Sequence, residues 1–230
     1  RRGDHCADRL RGMNAPTTLT RLRIDFVSDV VCPWCAIGLA SLETALARLG
    51  GEIDVEIHFQ PFELNPKMAP EGEDITAHLA SKYRIDAAQI ERNREAIRLR
   101  GEEVGFRFGP RSRIVNTFDA HRLLHWAGLE GRQYELKRAL LAAYHSEGRD
   151  PSDPGVLAVC AAQAGLDAAR ARGVLAAGDY ADEVRANERH WLELGVNSVP
   201  AVIVNQRHLI SGGQPPEVFE QALRRIAAQG

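Results

Sequence analysis

The 230-residue sequence has no apolar run approaching the roughly 20 residues that a helix needs to cross a bilayer. Its formal net charge is only −2, which leaves no strong general field to attract nucleic acid or an acidic membrane. Internal repeats and low-complexity segments are also lacking. These absences argue against membrane, nucleic-acid-binding and repeat proteins, and the 44% hydrophobic content suits an ordinary globular core.

The N-terminal segment carries no recognisable export signal. Its first ten residues are polar and lack the apolar middle of a secretion signal. Met13 is a second position at which the chain could start, and we expect residues 1–20 to form a poorly ordered tail. On this reading the sequence favours a cytoplasmic location.

Cysteine is scarce, with four residues at positions 6, 32, 35 and 160. A chain of this length does not need disulfides to stabilise a small core. Cys6 lies in the tail, and Cys160 lies in an alanine-rich helical stretch where we expect a buried, inert thiol. Reactive chemistry is therefore expected at the remaining C-x-x-C pair, Cys32 and Cys35.

Hydrophobic periodicity predicts a strand–helix–strand unit near the start of the chain. Apolar and polar residues alternate over residues 22–26 and again over 53–59, which is the period of a strand. Between them a helical pattern begins at Pro33 and ends at Gly50-Gly51. Two strands joined through a helix form a parallel pair with a right-handed crossover.

Helical signals dominate residues 74–194, and strand signals return after them. The apolar run 199–204 is typical of a central strand, residues 208–210 could pair with it as a hairpin, and Pro215-Pro216 starts a final helix. The sequence therefore predicts an α/β fold in the order β-α-β, helices, β-β-α. Its sheet domain would comprise residues 21–70 and 195–230, and residues 71–194 would be a large all-helical insertion.

The motif Cys32-Pro33-Trp34-Cys35 places two sulfurs one helical turn apart, where they can close a small disulfide ring. Cys32 lies at the positive end of the helix, whose unpaired N–H groups and dipole favour the thiolate, the attacking species. Cys35 lies one turn deeper and would be the resolving thiol. Pro33 suits the first helical turn, and Trp34 adds an apolar face beside the site.

A C-x-x-C pair can also supply half of a structural zinc site. Such a site needs two more ligands, and Cys6 and Cys160 do not form a second pair. His58 and His121 are available in principle, but nothing in the sequence requires them as ligands. We therefore expect redox chemistry and no bound metal.

Pro200 stands at the start of the predicted central strand, where it removes a hydrogen bond from the ladder. A proline is tolerated there in a special conformation, often with a cis peptide bond. An ordinary trans proline in a loop is the alternative, but the apolar run that follows favours the cis form.

Taken together, the Cys-Pro-Trp-Cys motif, the helical insertion and residues 195–200 resemble DsbA-like thioredoxin-fold oxidoreductases. The sequence is more similar still to the FrnE-type subgroup, often described as predicted dithiol-disulfide isomerases. This resemblance covers about residues 21–228. The segments that carry it are residues 29–35, 61–66, 116–122 and 211–216.

The resemblance implies a thioredoxin-like fold in which Cys32 is the nucleophile and Cys35 the resolving thiol. It also implies that Pro200 is a cis-proline facing the pair. The Val199 backbone would then be free to pair with an extended substrate segment, as in strand addition. The implied substrates are protein or small-molecule thiols and disulfides, with glutathione as a potential co-substrate and no cofactor beyond the redox-active disulfide.

Other positions carry more than one interpretation. Many relatives place an acidic residue beneath the deeper cysteine, and Asp25 is the nearest match as a proton relay. Either Asp25 or Asp29 could reach Cys35, although Asp29 is expected at the solvated surface. Phe62, Asn116 and His121 are candidates for substrate binding, because the helix equivalent to residues 116–122 borders the active site in kappa-class glutathione transferases and hydroxychromene carboxylate isomerases. Alternatively, Asn116 caps the helix and His121 belongs to the core.

The leading hypothesis is a dithiol–disulfide oxidoreductase or isomerase. The first alternative is a glutathione-dependent isomerase or transferase of the kappa-class or hydroxychromene carboxylate isomerase type. Cys35 argues against it, because those proteins usually lack the second cysteine. The second alternative is a non-enzymatic, chaperone-like binding module that uses the helical block around Trp34 and Phe62.

Overall fold

The computed structural model describes residues 19–229 of the chain. Strand β1 (Thr20–Ser28), helix α1 (Pro33–Leu49) and strand β2 (Ile53–Pro61) form the predicted strand–helix–strand unit, with β1 and β2 parallel. Gly50 ends α1 in the left-handed conformation, which glycine adopts readily. Most of the expected tail, with Cys6, lies outside the described residues, and its last position, Thr20, belongs to β1.

The central sheet has the strand order β2-β1-β5-β6. Strand β5 (Ala201–Val204) runs antiparallel to β1, and β6 (His208–Ser211) pairs with β5 as the predicted hairpin. Helix α9 (Pro216–Ala227) then returns across the sheet and packs against α1. The predicted α/β fold with a central sheet is confirmed.

The segment between the two halves of this sheet is mainly helical, and several helix starts follow the sequence signals. The side chains of Asp86, Asp153 and Asp167 accept hydrogen bonds from backbone N–H groups of the first helical turns that they precede. The helices of this segment are α2 (Ile75–Tyr83), α3 (Ala87–Glu103), α4 (Phe118–Leu129), α5 (Gln133–His145), α6 (Pro154–Gln163), α7 (Ala168–Ala177) and α8 (Ala181–Glu193).

Sequence periodicity missed a small second sheet in the helical segment. Strands β3 (Glu73–Asp74) and β4 (Arg113–Ile114) pair antiparallel, with two residues each. Two residues are too few to show an alternating pattern, so this pairing becomes visible only once the chain is folded. The boundaries of the sheet domain and the insertion stay a prediction.

The buried apolar residues form two large clusters, and the second of them includes a residue of the loop that precedes α1. One lies between the sheet and helices α1 and α9, and it includes Phe26 and Phe219. The other lies among α4, α5, α6 and α7, and it also contains Val30, which precedes α1. The loop that carries Cys32 is therefore anchored in the helical cluster through Val30, and Val31 packs in a smaller cluster with Met68, Ile114, Val115 and Tyr144. No helix within residues 19–229 has the length and apolar character needed to span a bilayer.

Candidate active site

The cysteine pair lies at the N-terminus of α1. Cys32 is the N-cap residue, with φ −83° and ψ 114°, and Cys35 lies in the first turn, where its backbone N–H donates to the Cys32 carbonyl at 3.1 Å. Both cysteines are unbridged; Cys32 is 4% exposed and Cys35 0% exposed. The sulfur that the sequence assigns to attack is therefore the one nearer to solvent.

The segment around Pro200 lies directly opposite Cys32. The Val199–Pro200 peptide bond is cis, and Cys32 Sγ lies 3.7 Å from the Val199 carbonyl oxygen. A Cβ added at Gly38 would come within 3.1 Å of Pro200 Cγ, and one added at Gly213 within 2.9 Å of the Trp34 carbonyl oxygen. Helix α1 therefore fits closely against this segment because both positions lack a side chain.

Aromatic side chains border the exposed side of Cys32. Trp34 is 40% exposed, and Tyr83 at the end of α2 is also exposed. Partial burial raises the pKa of Tyr83, and the charge of Cys32 raises it further. Phe62 is half-buried and packs with Val199 in the cluster on the other face of the sheet. Of the three rings, Trp34 and Tyr83 provide the exposed apolar surface.

Cys35 is sealed behind Cys32, and its surroundings keep it protonated. Burial raises the pKa of the Cys35 thiol well above its usual value, and a hydrogen bond and the charge from Cys32 raise it further. The positive charge of Lys137 and a backbone hydrogen bond from Asp29 act in the opposite direction. The arrangement suits a thiol that reacts second, after Cys32.

The prediction that Asp29 lies in solvent is wrong, because its side chain is buried. Its Oδ2 accepts a 2.7 Å hydrogen bond from the backbone N–H of Leu64, and its Oδ1 lies 3.4 Å from His121 Nε2. Burial alone would raise the pKa of Asp29, but His121, the Leu64 N–H and Thr117 together lower it. These partners keep the carboxylate charged inside the protein.

Lys137 on α5 is a buried residue that sequence reasoning missed. It is 1% exposed, and its Nζ lies 5.8 Å from the centre of the Phe59 ring. Burial lowers its pKa, and the charges that oppose this shift come from Cys35, Asp29 and Cys32. The sequence contained a signal for its burial, because helical spacing places position 137 on the same face as Leu141 and Tyr144.

The other predicted site residues lie at different depths. The Asn116 side chain accepts a hydrogen bond from the Phe118 N–H at 2.8 Å at the start of α4, and His121 is 2% exposed beside Asp29. Asp25 accepts hydrogen bonds from Arg23 and from Gln60, the latter at 2.7 Å. Its carboxylate is thus engaged on the sheet, and its role as a relay stays a prediction.

A buried histidine and an arginine, which the sequence interpretation did not include, support the loop before Cys32. His145 Nε2 lies 2.9 Å from the Val30 carbonyl oxygen, and its Nδ1 lies 2.9 Å from Arg111 Nη1. Because arginine only donates, Nδ1 must accept, and the ring proton lies on Nε2, which donates to Val30. The Arg111 guanidinium lies over the Phe108 and Tyr144 rings, and its charge interacts with Cys32.

The family was identified by comparison with known proteins. Residues 23–224 match the family described as the DSBA-like thioredoxin domain. A solved structure of a probable DsbA oxidoreductase from Streptomyces coelicolor is 36% identical, with 91% of each chain covered and a TM-score of 0.85. YwbO, an uncharacterized protein of Bacillus subtilis, is 28% identical over 204 residues, which is 88% of this chain and 96% of YwbO.

A more distant structure shares the fold. The cytosolic disulfide reductase DsbM from Pseudomonas aeruginosa, solved with GSH, has a TM-score of 0.61 at 18% identity, with 90% of this chain and 99% of DsbM covered. The match over residues 23–224, together with the similarity to the Streptomyces protein, shows that this chain belongs to the DsbA-like thioredoxin-domain family.

Proposed function

We propose that this protein is a thiol–disulfide oxidoreductase or isomerase that works through a mixed disulfide at Cys32. The observation that carries this proposal is the unequal placement of the two sulfurs. Cys32 lies at the helix N-terminus facing the Val199 carbonyl, while Cys35 is sealed one turn behind it. An outer nucleophile and an inner resolving thiol are what a two-step exchange requires.

In the reducing direction, the Cys32 thiolate attacks one sulfur of a substrate disulfide and releases the other as a thiolate. Cys35, after losing its proton, then attacks Cys32 Sγ. This forms the Cys32–Cys35 bond and releases the second substrate thiolate. Two electrons pass from the cysteine pair to the substrate, and the oxidising direction is the reverse.

The substrate would lie between the aromatic rim and the segment before Pro200. An extended thiol-bearing segment can pair with the Val199 backbone while its apolar side chains contact Trp34 and Tyr83. A protein substrate fits this arrangement, and glutathione is the small co-substrate that we propose. The shared fold with the DsbM structure solved with GSH supports glutathione in this role.

We further propose that the protein belongs to the FrnE-type subgroup and works in the cytoplasm. The proposal of a subgroup relies on the sequence segments 29–35, 61–66, 116–122 and 211–216. Fractionation of cells that express the tagged protein would test the location, and recovery in a membrane or exported fraction would contradict it.

A set of three cysteine variants tests the function. Reduction of a protein disulfide such as insulin, with glutathione or dithiothreitol as the electron source, should be lost in Cys32→Ser. Cys35→Ser should accumulate a mixed disulfide that mass spectrometry detects. Cys160→Ser removes a thiol buried elsewhere and serves as the matched control. Full turnover by Cys32→Ser would overturn the proposal.

The two alternatives predict different behaviour of the same variants. A glutathione-dependent isomerase would bind glutathione saturably and keep isomerase turnover in Cys35→Ala. A chaperone-like module would protect client proteins from aggregation equally well after loss of both thiols. The contact between Cys35 and Cys32 favours the redox function over both.

A further inference from the structure

The region behind Cys35 contains a cluster of buried polar atoms that the two-step exchange described above does not use. Lys137 Nζ, His121 Nε2 and Asp29 Oδ1 are all sealed from solvent and lack a well-formed hydrogen bond within residues 19–229. Unpaired buried polar groups are costly, so a cluster of three beside a reactive thiol calls for an explanation.

A cavity of about 190 Å³ leads from the surface to this cluster. It lies between the end of β2 and helices α4, α5 and α8, and it is large enough to hold several water molecules. Lys137 and His121 both line it, and Gln133 and His125 lie along the same wall. The rear of the cysteine pair thus has its own route to solvent, separate from the substrate side at Val199.

Resting on the proposed function, we infer that Lys137 exchanges the proton of Cys35 with solvent through this cavity. Cys35 cannot use the substrate side for this transfer, because Cys32 and the bound substrate cover it once the mixed disulfide has formed. The charges of Lys137 and Cys35 act on each other, and Lys137 Nζ has no hydrogen-bond partner within residues 19–229. Lys137 also lines the cavity, so its flexible side chain can connect the buried cluster with the cavity.

The proton balance of the step is as follows. Cys35 S–H gives its proton to the neutral Lys137 amine, and the Cys35 thiolate attacks Cys32 Sγ while the Cys32–substrate bond breaks. The Lys137 ammonium then releases the proton to water in the cavity. In the reverse direction, the ammonium supplies the proton to Cys35 as it leaves. Burial lowers the pKa of Lys137, which makes the neutral amine more accessible than at an exposed lysine.

Asp29 is less suited to this transfer than Lys137. Its partners lower its pKa, so it stays ionised and orients the charges around it. Glu188 on α8 has a pKa raised by burial, but it is held by Arg185 and acts on His121 rather than on the sulfurs. The titratable groups around the cluster are Cys32 and Cys35 at the start of α1, Asp29 before it, His121 on α4, Lys137, Tyr144 and His145 on α5, and Glu188 on α8.

Stopped-flow reaction of the reduced protein with dithiobis-nitrobenzoate separates the two steps when Cys6 and Cys160 are both replaced by serine. Attack by Cys32 and attack by Cys35 then each release one coloured thiolate. In Lys137→Met we expect the first release to stay within about two-fold of wild type and the second to slow by at least about ten-fold. Lys137→Arg keeps the charge but cannot release a proton, so it should slow the second release too. Ethylamine should partly restore the second release in Lys137→Ala.

The matched control is Arg138→Met, which removes a positive charge from the next position of α5, where the side chain is 62% exposed. It should leave both releases unchanged. If Lys137→Met matches this control, or slows both steps equally, the inference is overturned while the proposed function stands. If the protein with only the two serine replacements releases a single thiolate per molecule, the proposed function itself fails.

A measurement on the wild-type protein avoids any folding defect of the variants. The chain has three lysines, Lys67, Lys82 and Lys137, so side-chain NMR of lysine-labelled protein gives three signals. One signal should titrate at lower pH than the other two and should shift when the pair is oxidised. Three signals that titrate together and ignore the redox state would overturn the inference.

Discussion

Cys32 and Cys35 are three residues apart on one helix, but the molecule surrounds them with different chemistry. Cys32 faces a backbone carbonyl, exposed aromatic rings and the guanidinium of Arg111. Cys35 interacts with the buried, charged side of the site, which contains Asp29 and Lys137. The difference shows that the neighbours of two identical thiols determine their separate roles. A substrate can approach Cys32 on the Val199 side, which we call the front side, whereas the cavity behind Cys35, the rear side, admits only protons and water.

The largest expected effect comes from opening the rear side. Asp29→Ala removes the acceptor of the Leu64 N–H, the neighbour of His121 Nε2 and the buried negative charge that interacts with Lys137. Loss of one partner from such a group should lower the free energy of unfolding by about 3–5 kcal/mol, measured by urea denaturation. Asp54→Ala, at a carboxylate that is 60% exposed, is the control. If both variants lose the same free energy of unfolding, the buried cluster around Asp29 contributes no more to stability than an exposed carboxylate does.

On the front side, His145 should make stability depend on pH. Burial, with the charge of Arg111, lowers the pKa of His145 well below the value of about 6.5 expected in the unfolded chain. Below that pH the unfolded chain binds a proton that the folded chain does not, so acidification destabilises the fold. The slope from this group is up to about 1.4 kcal/mol per pH unit.

Unfolding of wild type and of His145→Gln at a series of pH values between neutrality and about pH 5 checks this effect. The variant should show a shallower loss of stability on acidification. His190→Gln, at an exposed position, should keep the wild-type slope. Parallel pH curves for wild type and His145→Gln would contradict the assignment of a neutral, buried imidazole.

A smaller effect is expected from the cation near Cys32. Arg111→Met removes a positive charge that interacts with Cys32 and should slow the first thiolate release by about five-fold, equivalent to about 1 kcal/mol. The second release should change less, in contrast to the Lys137 variants. Arg107→Met removes an exposed arginine from the same segment as a control. Equal slowing of both steps would argue for a general loss of structure instead.

The smallest effect concerns the aromatic rim. Trp34→Ala should raise KM for a protein disulfide by about two- to five-fold and leave kcat nearly unchanged, because it removes part of an exposed apolar contact. Leu209→Ala removes an exposed apolar side chain on β6 and should leave KM unchanged. A fall in kcat without a rise in KM would place Trp34 in the chemical step.

Features of the site that depend on local pattern were predictable from the sequence. The spacing of Cys32 and Cys35 at a helix start, and the position of Pro200 before an apolar run, are visible within a few residues of chain. The strands and the aspartate-capped helices follow from period and capping chemistry for the same reason.

Features that depend on long-range packing were not predictable in this way. The sequence around Asp29 indicates a surface residue, because its buried partner, the Leu64 N–H, lies 35 positions further along the chain. The link from Arg111 through His145 to Val30 joins three segments that are distant in sequence. Lys137 is intermediate, because helical spacing placed it on an apolar face, but the neighbouring sulfur is revealed only by the folded chain.

The anchoring of Val30 in the helical cluster has a practical consequence. Because Val30 packs among the helices and accepts a hydrogen bond from His145, the loop before α1 moves only when part of the helical block opens. Alkylation of the sealed Cys35 by a small reagent should therefore proceed at the rate set by that opening equilibrium. The rate of Cys35 alkylation thus reports how often the helices separate from the sheet.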